Sequence, residues 1–343
     1  MNRVEEDDGS VIARVKAWCA RHHRRLVQGS LLVGGLWVVV LVYNLTKLLP
    51  AGLSLAGALR DASGIELLYD LTYREEGREV VEQAIFDRVF AMIDEAEEFV
   101  VLDMFLFNGL HGGERDYRPL SGELARRLRA RKTVRPELRA VFITDEINNF
   151  YGAYTSPEIE ALREAGIEVV TTGMMRLRDS NPASSAGWRM SVGWLGTGGP
   201  GWLPNLFGPN GPRVTLRSYL KLLNFKANHR KLLVTDRGCL VASANPHDAS
   251  SFHSNIAFVG SGPVCGDLLQ GERAVAAYSE GAVDDWPVWA APEQGDGEAD
   301  GGEAASTTTD AGVVQVVTEG EILQAFLRDV GAAGPGHGID LAM

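Results

Sequence analysis

Residues 26–45, LVQGSLLVGGLWVVVLVYNL, run for twenty positions without a charge, and no other feature constrains the folding of this chain as much. As a helix, that run is long enough to cross roughly 30 Å of hydrocarbon. The fifteen residues before it carry Arg14, Lys16, Arg21, Arg24 and Arg25 and no acid, whereas the fifteen after it carry only Lys47 and Arg60. Cations gathered on the N-terminal flank predict a cytoplasmic tail over 1–25, a single transmembrane helix over 26–45, and everything beyond it on the outer side. A cleaved signal peptide has the same charge order. Here, however, no small-x-small site follows Tyr43 and the basic region is long, so an uncleaved anchor is expected.

The remainder must fold beside a membrane. Hydrophobic residues make up 45% of the 343, which allows a sizeable core and excludes wholesale disorder. A net charge of −12 repels polyphosphate unless a local basic patch overrides it, so nucleic acid is not favoured as a partner. Cys19, Cys239 and Cys265 show no CxxC or Cys/His spacing. Neither a zinc site nor a disulfide framework is expected from them.

After a Pro/Gly tether at 48–57, strand and helix patterns alternate. GIELLYDL (64–71) reads as a strand. Val81, Ile85, Val89, Met92 and Ala96 share one helical face over 79–96. FVVLDMFLF (99–107) suits a buried strand, 121–131 a helix with a solvated arginine-rich face, and LRAVFITD (138–145) another strand. Ser156-Pro157 opens a helix that Gly166 ends, and IEVVTT (167–172) is again a strand. This alternation predicts an α/β fold, a mixed or parallel sheet flanked by helices, occupying 60–285. Residues 173–213 break the rhythm with Gly, Pro, Asn and Ser around Trp188, Trp194, Trp202 and Phe207. Two readings stay open for this stretch: aromatics packed onto the domain, or a lipid-facing loop. Residues 286–311, acidic and small from 291 onward, read as a flexible linker. The last piece, 312–343, repeats the opening order of strand, helix and strand, with Ile339-Asp340-Leu341 echoing Leu102-Asp103-Met104. It reads as the start of a second, truncated half of a duplicated fold.

The chemistry-bearing segment is ANHRKLLVTDRGCLVASAN, 227–245. On a strand, His229 and Lys231 point to the same side, so an imidazole and an ammonium can meet one phosphate together. Asp236 follows at a turn that its carboxylate can organise. A second short strand then delivers Ser243 and Asn245 to the same spot. Histidine can attack phosphorus and form a covalent phosphohistidine, while Lys and Asn donors neutralise the non-bridging oxygens. His247 and His253 suit loop or cap roles, and Asp103 a hydrogen-bonded structural acid. Asp145-Glu146 fits either a cleft lining or a solvated loop. No cofactor or metal is suggested by the spacing.

This pattern, His-x-Lys-x4-Asp followed by Ala242-Ser243-x-Asn245, resembles the HKD signature of the phospholipase D superfamily, with Ala242 where glycine is usual. TDEINNFYG (144–152) and 242–258 resemble bacterial membrane-anchored phospholipase D-like and cardiolipin synthase-like proteins. The resemblance implies a phosphodiesterase or phosphatidyltransferase acting on phospholipids at the inner membrane, with its catalytic domain on the periplasmic side. It implies His229 as nucleophile, Lys231 and Asn245 as phosphate ligands, Ser243 as a supporting hydroxyl and Asp236 as an organising carboxylate. It also implies a partner, because the family's site uses two HKD motifs, from two halves of one chain or from two copies. One motif is present here, so a second half is expected, either downstream or in a second copy. The alternatives are a single-motif dimeric endonuclease and an inactive membrane-tethered module.

A periplasm-dependent reporter such as alkaline phosphatase, fused after residue 60 in a bacterial host, is expected to be active. Activity there of a reporter that works only in the cytoplasm would overturn the orientation.

Overall fold

The structure is a computed structural model and describes residues 6–113, 115–290 and 312–334. The chain opens with α1 (Glu6–Thr46), one helix of 41 residues. Its Ala20–Thr46 section has a mean hydropathy of 2.0 and is long and apolar enough to cross a membrane.

The region after α1 is built on a mixed sheet of eight strands between helical layers. The strands are β2 (Glu66–Glu75), β3 (Arg78–Glu82), β4 (Phe99–Met104), β5 (Arg139–Thr144), β6 (Glu168–Thr171), β7 (Lys231–Thr235), β8 (Gly238–Ala242) and β9 (Asn255–Gly260), and β1 is the short Arg60–Asp61. Their spatial order is β3-β2-β9-β8-β7-β4-β5-β6. β4, β5 and β6 run parallel, and every other neighbouring pair is antiparallel. The β4–β7 ladder is therefore the seam between a parallel and an antiparallel half, with Asp103 opposite Leu232 and Met104 opposite Lys231.

The residues of β4 and β5 are buried on both faces, as continuous apolar strands require. On one face lie α2 (Ile85–Glu95), α3 (Leu120–Val134) and α4 (Pro157–Glu164), which pack Ile85, Val89, Ile93, Leu124 and Leu162 onto Val100, Leu102 and Phe142. On the other, α7 (Pro263–Tyr278) brings Cys265, Leu269 and Val275 to Val101, Ile143 and Val234. α7 covers only part of its face. Beyond it, an in-register row crosses three strands, Leu67–Phe258–Val241, and all three side chains are exposed.

The structure departs from the sequence reading at two places. Residues 79–82 belong to β3 rather than to the helix, which starts at Ile85. Glu76 and Gly77 have φ of 48° and 79°, a positive-φ pair that turns the chain into a hairpin with β2. The helical spacing of Val81 was thus coincidental. Second, Cys239 and Cys265 form a disulfide, contrary to the expectation of none. They meet only because β9 returns antiparallel to β8 and α7 then folds back beneath the sheet, a closure that leaves no signature in spacing.

Residues 312–334 lie against the first half. β10 (Val313–Val314) pairs antiparallel with β1, and Gly57 N–H donates to Val316 O at 2.8 Å. α8 (Gly320–Ala332) follows, with Ala325 buried but Ile322, Phe326 and Leu327 exposed. The expected linker, 286–311, is described only over 286–290, where Trp286 is buried and its Nε1 donates to Leu269 O at 3.1 Å, so these residues pack on α7 instead of hanging free; its remainder from 291, and the GIDLAM segment at 338–343, lie outside the described residues.

The disulfide closes a loop of 26 residues and pins α7 to β8. Loop entropy assigns such a bridge about 3–4 kcal/mol. Urea unfolding of the full chain in detergent is expected to show Cys239→Ser and Cys265→Ser each destabilised by about that amount, with the double variant no worse than either.

Candidate active site

The backbone carrying the histidine is fixed from below before any functional side chain appears. Asn228, buried, donates from Nδ2 to both oxygens of Asp103, at 2.8 Å each, and to Thr172 Oγ1 at 3.1 Å. Its own N–H donates to Asp145 Oδ2 at 2.7 Å, while Asp145 Oδ1 accepts from Ile147 N at 2.8 Å and caps the short turn Glu146–Asn149. Two residues beyond Asn228, Arg230 O accepts from Phe105 N–H at 3.2 Å and extends the β4–β7 ladder. His229 therefore stands on irregular backbone clamped on both sides, just ahead of β7, rather than on the strand itself. Burial, and then the neighbouring Glu272, raise the Asp103 pKa well above the carboxylate range. Burial lifts Asp145 to about 6. Both carboxyls serve as structural supports.

On this footing His229 and Lys231 meet. Lys231 Nζ lies 3.2 Å from His229 Nδ1 and donates to His229 O at 2.8 Å. The Phe105 ring packs against both, 4.6 Å from the imidazole centroid and 5.2 Å from the ammonium. His229 is exposed, whereas Lys231 is buried, with 5% of its surface accessible. Desolvation pushes Lys231 down to about 8. Partial burial, with the Lys231 charge second, lowers His229 below its ordinary 6.5. A cavity of about 300 Å3 opens there, lined by His229, Lys231, Ser243, Ile256 and Phe258. A larger one of about 640 Å3, walled by Val241, Leu268 and Val314, also reaches His229 and Lys231. The intervening Arg230 points away, to Glu272 on α7 at 2.8 Å and Glu319 at 3.4 Å.

The other expected site residues divide. Ser243 lines the small cavity, its Oγ 3.1 Å from Asn255 Oδ1 and accepting from Ile256 N at 3.1 Å. Asn245 lies near the site through its Oδ1, which accepts from Leu106 N at 3.3 Å, next to Phe105. Asp236 is elsewhere: it ends β7 at the opposite edge, roughly 17 Å from Lys231 at strand rise. There its Oδ1 accepts from the N–H groups of Glu97, Glu98 and Phe99, at 3.0, 3.1 and 3.4 Å. That is the organising role, played at a turn and not at a phosphate, so Asp236 does not stand among the catalytic residues. His247 bonds Leu110 O at 2.6 Å as a loop tie, and Glu146 pairs with Lys221 at 2.7 Å.

Asn228, Phe105 and the carboxyls of Asp103 and Asp145 were not singled out as supports of His229. The adjacency of Asn228 to His229 was visible, but its acceptors lie 125 and 83 residues away.

No protein-family model matches the sequence, and no curated protein matches it. Solved structures do match in fold. Nuc from Salmonella typhimurium, described as a phospholipase D family member, is 13% identical over 63% of this chain and 95% of that one, with a TM-score of 0.33. NucT from Helicobacter pylori is 11% identical over 63% and 94%, at 0.31. Phosphatidylserine synthase from Haemophilus influenzae Rd KW20 is 10% identical over 62% of this chain and 36% of that one, at 0.33. Similarity at this level says nothing of the reaction, which has to be read from the residues themselves.

The mutual effect of the two cations is measurable. The His229 imidazole is expected to titrate below 6.5 by NMR in the native chain and to move upward in Lys231→Met, which removes the neighbouring charge but leaves the burial. An unmoved titration would mean that the two groups do not share a site.

Proposed function

We propose that this chain is a phospholipase D-type phosphodiesterase or phosphatidyltransferase that acts on phospholipids through a covalent phosphohistidine at His229. The observation that carries the reading is the contact of 3.2 Å between the Lys231 ammonium and His229 Nδ1 at the mouth of two cavities. In the resting site Lys231 donates to the ring, and the neutral imidazole, with its lowered pKa, spends its one lone pair accepting. An anionic phosphodiester competes for that ammonium. As the ammonium swings to a non-bridging oxygen, the lone pair is released for attack at phosphorus. The P–O bond to the leaving alcohol breaks as the P–N bond forms. Water or an alcohol then attacks phosphorus, giving its proton to the group that had protonated the leaving alcohol, and the P–N bond breaks with its electron pair returning to the ring. Ser243 and Asn245 are the further polar groups on this side, and Asn228 with Asp103 holds the ring's backbone while charge moves.

The leaving alcohol needs a proton. Among the described residues lining the two cavities, His229 is the only histidine. A second HKD half, from a downstream segment or a second copy, would supply the acid. Two unpartnered apolar surfaces favour such a half: the Leu67–Phe258–Val241 row next to the site and the Ile322, Phe326, Leu327 face of α8. The span-length α1 argues for a lipid substrate. The Cys239–Cys265 bridge argues for an oxidising compartment, such as the outer side of a bacterial inner membrane.

The test is turnover of phosphatidylglycerol vesicles by the full chain with and without a second half, together with acid-quench trapping of a labelled phosphoenzyme. The chain without an acid partner is expected to run about 10²–10⁴-fold slower than the completed site. His229→Ala should abolish both turnover and labelling; turnover surviving that change would sink the proposal. The pH profile should be bell-shaped. Below the depressed His229 pKa the ring is protonated and has no lone pair, and above about 8 Lys231 loses the charge that binds phosphate.

A further inference from the structure

The stretch from Ser180 to Pro212 contains a single charged residue, Arg189. It begins with α5 (Pro182–Met190), which packs along α1. Asp179 N–H donates to Asn44 O at 3.0 Å, and a Cβ placed on Gly187 would stand 3.9 Å from Trp37 Nε1. α5 therefore runs back down α1 from the Asn44 level to the Trp37 level, seven residues or about 10 Å toward the membrane centre. The packed side of α1 is Trp37, Val40, Leu41 and Asn44, one helical face, and these are its shielded positions, while Val38, Val39, Val42 and Tyr43 stay exposed.

Arg189 does not oppose burial in lipid, because its guanidinium turns back to Asp179 Oδ1 at 3.0 Å and Met175 O at 3.1 Å. Past α5 the segment exposes large apolar side chains with no cover: Trp194 at 73%, Trp202 at 63% and Leu206 at 70%. Tryptophan in that state favours the boundary between headgroups and acyl chains.

We propose that residues 182–206 are a second membrane contact, seated in the leaflet that holds the Thr46 end of α1. The occupant of this surface is the same bilayer. Three observations select it: continuity with α1, the near absence of charge, and exposed tryptophans in the segment that follows α5. α5 satisfies its own backbone and can enter the acyl boundary. In the irregular loop 196–201 the carbonyls of Gly196 and Gly198 accept from Arg217 at 2.8 and 2.6 Å, and that of Thr197 from Thr215 Oγ1 at 2.6 Å, so its backbone is partly satisfied within the protein. The inference rests on α1 as a membrane span and not on the chemistry of His229.

The full chain, with Cys19→Ser and the disulfide kept, is labelled with an environment-sensitive fluorophore at Trp194→Cys and reconstituted into phosphatidylglycerol/phosphatidylethanolamine vesicles. Quenchers are carried on lipids either near the headgroup or near the acyl terminus. The Trp194→Cys label is expected to be quenched by the lipid-borne quenchers at least about twofold relative to vesicles that carry none. A reference label at Val33→Cys should favour the deep one. An unquenched Trp194→Cys label beside a quenched Val33→Cys label overturns the proposal, and energy transfer between copies in that sample would identify a second chain as the cover. An unquenched Val33→Cys label removes the bilayer and the proposal with it. No turnover is required, so a failure of the phosphodiesterase reading shows separately.

Discussion

The seam between β4 and β7 carries the rest of this structure. A parallel half-sheet ends there and an antiparallel one begins, and the two can share a ladder only if a buried strand offers hydrogen bonds to both sides. β4 does so with Asp103 one residue from its C-terminal end, fully buried. An ionised carboxylate in that place carries a large desolvation cost, so burial, and then the neighbouring Glu272, raise its pKa, and Asn228 donates to both of its oxygens. The residue before the histidine is thereby locked to the centre of the sheet. The exposed imidazole gains a rigid base from the most buried layer of the domain.

The electrostatics of the site follow from the same layering. Lys231 is sequestered among apolar side chains and against the Phe105 ring, with no carboxylate among the described residues in ion-pair contact with its ammonium. A cation kept this way is poorly solvated and seeks an anion. Arg230, one residue earlier, is the opposite case: Glu272 and Glu319 already neutralise it, so it holds α7 and the 312–334 segment to the sheet instead of binding ligand. Alternation along the chain thus sorts neighbouring cations into one that binds and one that braces.

The strands at 99–107, 138–145 and 167–172, the capped helix from Pro157 and the β7–β8 pair were legible because apolar runs, an N-cap and the His-x-Lys spacing are local signals. The disulfide, the β3 hairpin and the whole of α7 were not. α7 has apolar residues on nearly all sides, so periodicity says little, and the cysteines are joined by topology. Of the candidate site, the motif suggested the His229–Lys231 pair and a turn organised by Asp236, but strict alternation sets neither His229, which precedes β7, nor Ser243, which follows β8. The partners of Asp236 at 97–99 were not legible, because they come from a distant part of the chain at the start of β4. The supports of His229 were hidden for the same reason.

One small polar knot links the two ends of the molecule. Asp179, whose N–H holds the end of α1 through Asn44 O, also pairs through Oδ1 with Lys226 at 2.7 Å, three residues before His229. Burial disfavours its charge, but Arg189 and Lys226 more than offset that and keep the carboxyl ionised. A helix, a buried ion pair and three residues of backbone form a short rigid linkage with no flexible tether in it. With α1 in a bilayer, the imidazole keeps a constant height and attitude over the surface. On the proposed reading, a lipid substrate would then be met by lateral diffusion in two dimensions, within the leaflet underfoot.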